Sequence, residues 1–289
     1  MDQELTFWDL VYNIDATKKS RCKVIDPLLA QKLNTIDDLI PAGYYLNVAG
    51  LPELMPETKV KINDIIKKII TPEKSIPTYQ LRSFTKWLDY SARQAIVDVW
   101  INTSKSLDPG WIVDQAILID GNRQLKVLEK LVSMYGERKS KYRVNNVEAI
   151  FKALEKDYVV DGCKLLTKSS PALSACLLSR QDIQEEYVIL GLKSLSKLSR
   201  QRKPMEVDFF ALKSLGPRSR LDAMKQLLGL TQLYGVYLEV LPFKVIPTKE
   251  EIEEFLFPCS IKYNDEVSSV MKRYEELVKK PKIKEVNYG

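Results

Sequence analysis

The chain of 289 residues is 45% hydrophobic and 28% charged, the composition of a globular protein with enough length for one large or two ordinary domains. It contains no histidine. That absence excludes Ser-His-Asp and Cys-His hydrolases, histidine-ligated zinc or haem and histidine phosphorelays, because it removes the one side chain that titrates near neutrality and the commonest metal ligand.

The 44 Lys plus Arg against 38 Asp plus Glu leave a net charge of +6, which permits attraction to nucleic acid or to an acidic surface. Cys22, Cys163, Cys176 and Cys259 form no C-x-x-C pair, so they read as reduced thiols of a reducing compartment, with neither a zinc site nor a cofactor expected. The acidic N-terminus has no apolar run behind it, and no stretch approaches the roughly 18 apolar residues that span a bilayer. A cytoplasmic protein without membrane contact is expected, of a cell or of a virus replicating inside one.

The first third reads as short helices punctuated by proline. A first amphipathic helix with Leu5, Trp8 and Val11 offers a face for self-association, and Asp26-Pro27 caps and opens another helix. Residues 44–49 are a strand candidate between Gly43 and Gly50. From Lys59 to Ile70 the residues Ile62, Ile65, Ile66, Ile69 and Ile70 mark one helical face, and Pro72 ends the helix. The longest element is expected from Thr78, its cap, to about Asn102. Leu81, Phe84, Leu88, Ala92, Ala95, Ile96 and Val99 form its buried side, flanked by Trp87 and Trp100.

Asp108-Pro109-Gly110 reads as a turn, with Trp111 anchoring the loop. A helix from about Asn122 to Tyr135, closed by Gly136, is followed by a polar hinge over 137–143. A further helix from Asn146 to Lys156 carries Val147, Ile150, Phe151 and Leu154. Residues 207–212 and 236–241 are expected to be short strands enclosing a helix from Arg220 to Tyr234. Thr248 and Glu251 have the spacing of a capping box. The last helix, Asp265 to Lys280, aligns Val267, Val270, Met271, Tyr274, Leu277 and Val278.

Positive charge is concentrated in two segments. Residues 193–225 hold nine cations against three acids, and residues 123–143 hold seven against two. Together they are expected to line one groove that clamps a phosphate backbone, with Tyr135 and Tyr142 offering ring faces to unpaired bases. The candidate contacts are Arg138, Lys139, Lys141 and Arg143 in one segment, and Arg200, Arg202, Lys203, Arg218 and Arg220 in the other. The turn around Gly216 also reads as an anion site, because it would aim backbone amides out of a helix N-terminus between basic residues.

The order strand, basic turn, helix, strand over 207–241 resembles the acyl-CoA-binding core of the GNAT acetyltransferases, with Lys213, Gly216 and Arg218 at the pyrophosphate-turn positions. The helix-to-strand run 227–240 is also similar to that family. The resemblance spans about 60 residues and implies Glu239 as a general base and Tyr263 as a general acid. At the turn, Lys213 and Arg218 depart from the family's Q/R and Gly/Ala, and Pro217 lacks an amide.

Adjacent carboxylates such as Asp37-Asp38, Glu185-Glu186 and Glu250-Glu251 point about 100° apart on a helix and do not converge on a metal. The expectation is a mainly α protein: a helical lobe over 1–140, and a helix-rich lobe over 141–289 with a few short strands and a small α+β element around 205–242. The expected function is non-catalytic binding of single-stranded RNA or DNA, as in a viral or phage nucleoprotein. The alternatives are a degenerate GNAT-like acyltransferase domain at 205–265 and a helical assembly protein.

Overall fold

The computed structural model describes residues 56–70, 81–82, 84–103, 107–137, 141–198, 207–233 and 243–279, and among these the chain is helical with no named strand. The expectations at Trp8, Asp26-Pro27, residues 44–49, Thr78, Glu239 and residues 236–241 lie outside the described residues. The chain divides into two units, Met1–Lys130 and Leu131–Gly289. The division falls inside a helix.

In the first unit, α1 (Pro56–Ile69) buries Ile62, Ile65 and Ile66, with Ile70 just beyond its end. These four residues of the stripe read from the sequence are buried. The long helix expected over 78–102 is broken. Leu81 and Arg82 are helical, Thr85–Trp87 is a 3₁₀ turn, Leu88 is extended, and α2 (Tyr90–Asn102) starts afresh behind Asp89.

Asn63 of α1 explains the break. Its side-chain amide donates to the Trp87 carbonyl at 3.0 Å, and its carbonyl oxygen accepts the Asp89 amide at 2.8 Å. Two backbone groups that a continuous helix would pair internally are satisfied from a neighbouring helix instead. The Asp89 carboxylate then caps α2 by accepting the Ala92 amide at 2.7 Å. Arg93 ties the interruption down by donating to the carbonyls of Thr85 and Leu88. Of the expected buried side, Leu81, Phe84, Leu88, Ala92 and Ile96 are buried while Ala95 and Val99 are half-buried, and Trp100, expected as a flank, is buried as well.

Asp108-Pro109-Gly110 is the start of a helix rather than a free turn. Asp108 accepts the Gly110 amide at 2.9 Å and Pro109 occupies the first position of α3 (Pro109–Ala116). Trp111 is accordingly a buried helical residue whose indole N–H donates to the Thr85 hydroxyl at 2.9 Å. Next, α4 (Gly121–Glu137) passes through Gly136, the residue expected to close it.

In the second unit, α5 (Lys141–Ala153) begins within the expected hinge and buries Val147, Ile150 and Phe151. It is followed by α6 (Val159–Thr167), α7 (Pro171–Ser174) and a 3₁₀ segment, Ala175–Ser179, whose five residues are all buried. Then α8 (Glu185–Leu198) packs over that segment, which is why position 191 is glycine: a Cβ there would meet Leu178 Cγ at 2.9 Å.

The strand expected at 207–212 is a 3₁₀ helix, Phe209–Ser214. Asp208 caps it by accepting the Phe210 amide at 3.1 Å, and only Val207 pairs in β fashion, as an isolated bridge with Phe243. Phe209, Ala211 and Leu212 are buried in this 3₁₀ turn, and a short apolar run of this kind has no period that separates strand from helix.

The unit closes with two packed helices, α9 (Pro217–Leu233) and α10 (Lys249–Lys279). The capping box forms: the Thr248 amide donates to Glu251 Oε2 at 2.7 Å, and the Glu251 amide donates to Thr248 Oγ1 at 3.2 Å. The short helix it opens and the expected last helix are continuous across a kink at Tyr263 (φ −131°, ψ 41°). Beyond the kink Val270 and Tyr274 are buried, whereas Val278 is exposed.

Candidate nucleic-acid interface

The nine candidate contacts all belong to the second unit. Arg138, Lys139, Arg200, Arg202 and Lys203 lie outside the described residues. Lys141 and Arg143 open α5, where the structure describes the backbone alone. Arg218 and Arg220 occupy the first turn of α9, and the structure gives both of them internal work.

Arg218 pairs with Asp222 one turn along α9 and reaches Glu266 of α10, 3.1 Å from Oε1. Its guanidinium lies 5.0 Å from the Tyr263 ring at the kink. Lys225 pairs with the same Glu266, and the two cations hold that carboxyl below its usual range. Arg220 donates to three carbonyls, those of Leu215 (2.8 Å), Lys213 (2.8 Å) and Phe255 (3.2 Å), and stacks 5.0 Å from the Phe255 ring. It clamps the 3₁₀ segment and α10 to the start of α9.

The turn at Gly216 holds an anion, and that anion is the protein's own. Glu185, at the start of α8, accepts the Gly216 amide at 3.1 Å. A hydrogen bond from Ser219, with the Gly216 amide second, holds the Glu185 carboxyl below its usual range. A carboxylate at the positive end of a helix dipole is also favourably placed. Pyrophosphate-turn geometry therefore finds its amide already taken, and the first strand required by the acetyltransferase resemblance is the 3₁₀ helix described above.

Two further cations of the basic segments are committed in the first unit. Arg123 pairs with Asp98 and Asp120, which raise its pKa, at 2.8 and 2.7 Å. Lys130 donates to the carbonyls of Trp100, Ile101 and Thr103 at the end of α2, with its ammonium 4.8 Å from the Trp100 ring. That is the favourable end of the helix for a cation.

Lys193 and Lys197 behave differently. Both are exposed on the outer face of α8, and among the described residues no carboxylate pairs with them. They share a stripe with exposed Glu186 and Leu190. Sequence reasoning counted these lysines within a basic segment, but only the burial of Val188, Leu192 and Leu195 on the opposite side fixes which way they face.

A cleft of about 250 Å³ is lined by Lys213, Arg220, Glu251, Glu254 and the rings of Phe209, Phe210 and Phe255. Its two cations and two acids balance, which suits no polyanion. Among the described residues no group of three or more Cys, Asp or Glu converges to hold a metal ion, and no helix is long and apolar enough to cross a membrane. Cys163, Cys176 and Cys259 are free and buried.

No protein-family model, curated protein or solved structure matches this chain.

Proposed function

We propose that this is a non-catalytic nucleic-acid-binding protein of nucleoprotein type, holding the phosphates of single-stranded RNA or DNA through two basic clusters. The clusters are Arg138, Lys139, Lys141 and Arg143, and Arg200, Arg202 and Lys203. The observation that supports this reading is the internal commitment of five other cations of the two basic segments: Arg123, Lys130, Arg218, Arg220 and Lys225 are bound to carboxylates or carbonyls of the chain. Without the seven cluster residues the 44 cations fall to 37, one fewer than the 38 acids. The seven cluster cations are thus enough by number to account for the net charge of +6. Lys and Arg would bridge phosphates without reading bases, with Tyr135 and Tyr142 stacking on bases, and binding would release counterions.

The test is fluorescence anisotropy of a labelled oligonucleotide of about 20 bases, titrated with the full chain over about 50–300 mM salt. Seven phosphate contacts on a single strand predict a log–log salt slope of roughly −5. Replacing either cluster with alanine should make the slope shallower by its share, whereas Arg220→Ala should lower the melting temperature and leave the slope alone. Absence of binding at about 50 mM salt by folded protein overturns the reading.

A further inference from the structure

The arm of α10 before the Tyr263 kink carries an exposed outer stripe. Glu250, Glu254, Phe257 and Ile261 follow one another at spacings of four, three and four residues, which places them on one face of a helix. All four are exposed, Phe257 at 68% and Ile261 at 82%. Large apolar side chains this bare mark a contact surface.

The outer stripe of α8 has the same spacing. Glu186, Leu190, Lys193 and Lys197 are likewise four, three and four residues apart and likewise exposed, Leu190 at 40%. Each stripe runs about 16 Å at the rise of an α-helix. Laid antiparallel, their chemistry matches at three of the four positions: Glu250 faces Lys197, Glu254 faces Lys193 and Phe257 faces Leu190, with Ile261 at the end opposite Glu186. Laid parallel, Glu250 would oppose Glu186 and the lysines would oppose Phe257 and Ile261.

We propose that these stripes join copies of the chain, with the α10 arm of one protomer docking antiparallel on α8 of the next. Two ion pairs and one apolar pair give the contact its direction and register. Oppositely charged faces steer the encounter, while the Phe257–Leu190 contact removes apolar surface from water. Because the stripes are different surfaces, a bound pair still presents one free stripe of each kind, so the contact repeats into a ring or an open chain. Lys193 and Lys197 are thereby assigned to assembly, and the proposal requires no nucleic acid.

The experiment is molar mass by light scattering and by sedimentation, over a range of concentrations, on nuclease-treated full chain at low salt. Wild type should exceed the single-chain mass as concentration rises. The double reversal Lys193→Glu with Lys197→Glu sets acid against acid. The double reversal Glu250→Lys with Glu254→Lys sets lysine against lysine. Each variant alone should associate about tenfold or more weakly. An equimolar mixture of the two should associate like wild type, because every contact then joins opposite charges. All four positions are exposed, and an unchanged helical circular dichroism signal confirms the fold. Monomeric wild type, reversals that associate like wild type, a mixture that stays monomeric, or association that disappears with nuclease would each overturn the proposal.

Discussion

The Glu185 carboxylate accepts the Gly216 amide at 3.1 Å across 31 residues of sequence, fastening the start of α8 to the turn that opens α9. A turn with the composition of a phosphate cradle is thus closed from within.

Glu185→Gln keeps the shape of the side chain and removes its charge, so it should lower stability at neutral pH by about 0.5–1 kcal/mol. The carboxyl is held below its usual range, so its contribution is complete above the ordinary glutamate pKa and is lost as the pH falls through the depressed one. The melting-temperature gap between wild type and Glu185→Gln, followed from about pH 7 to pH 3, should therefore shrink on acidification. A gap that widens in acid would contradict this.

Two helical glycines should respond oppositely to alanine. At Gly191 the new Cβ would stand 2.9 Å from Leu178 Cγ and 3.3 Å from Leu177 Cβ, within a fully buried 3₁₀ segment. Overpacking there should cost about 1–3 kcal/mol. At Gly229 of α9 nothing lies within 4 Å of the added methyl. There the gain in helix propensity should stabilise by up to about 1 kcal/mol. Urea denaturation of the two variants reads both signs.

Thiol chemistry should report the core. Burial pushes the Cys163 thiol up to about 12, and burial raises Cys176 and Cys259 as well. The thiolate is the reacting species, so alkylation of Cys163 at pH 8 should be slower than that of an ordinary exposed thiol by on the order of a thousandfold. Peptide mapping after iodoacetamide should find Cys163, Cys176 and Cys259 unmodified in folded protein and fully modified in denaturant. Rapid modification of Cys163 in the folded state would contradict the packing described.

What the sequence determined by itself was what local chemistry dictates. The isoleucine face of α1, the Thr248–Glu251 capping box, the buried residues of α5 and the predominance of helix were legible because spacing and capping act within a few residues. The break before α2 was not legible, because it depends on Asn63, more than twenty residues away, offering a donor and an acceptor to the interrupted backbone. The nature of residues 207–212 was not legible either, since a short apolar run has no decisive period and only the packing of Phe209 and Leu212 selects the 3₁₀ turn. The charges carry the same lesson. Composition located the basic segments, but tertiary structure chose which cations are bound inward, as Arg218 and Arg220 are, and which face outward, as Lys193 and Lys197 do. A charge is free to meet a partner only if the fold has not already placed an acid or a carbonyl beside it, and that placement is a long-range property of the chain.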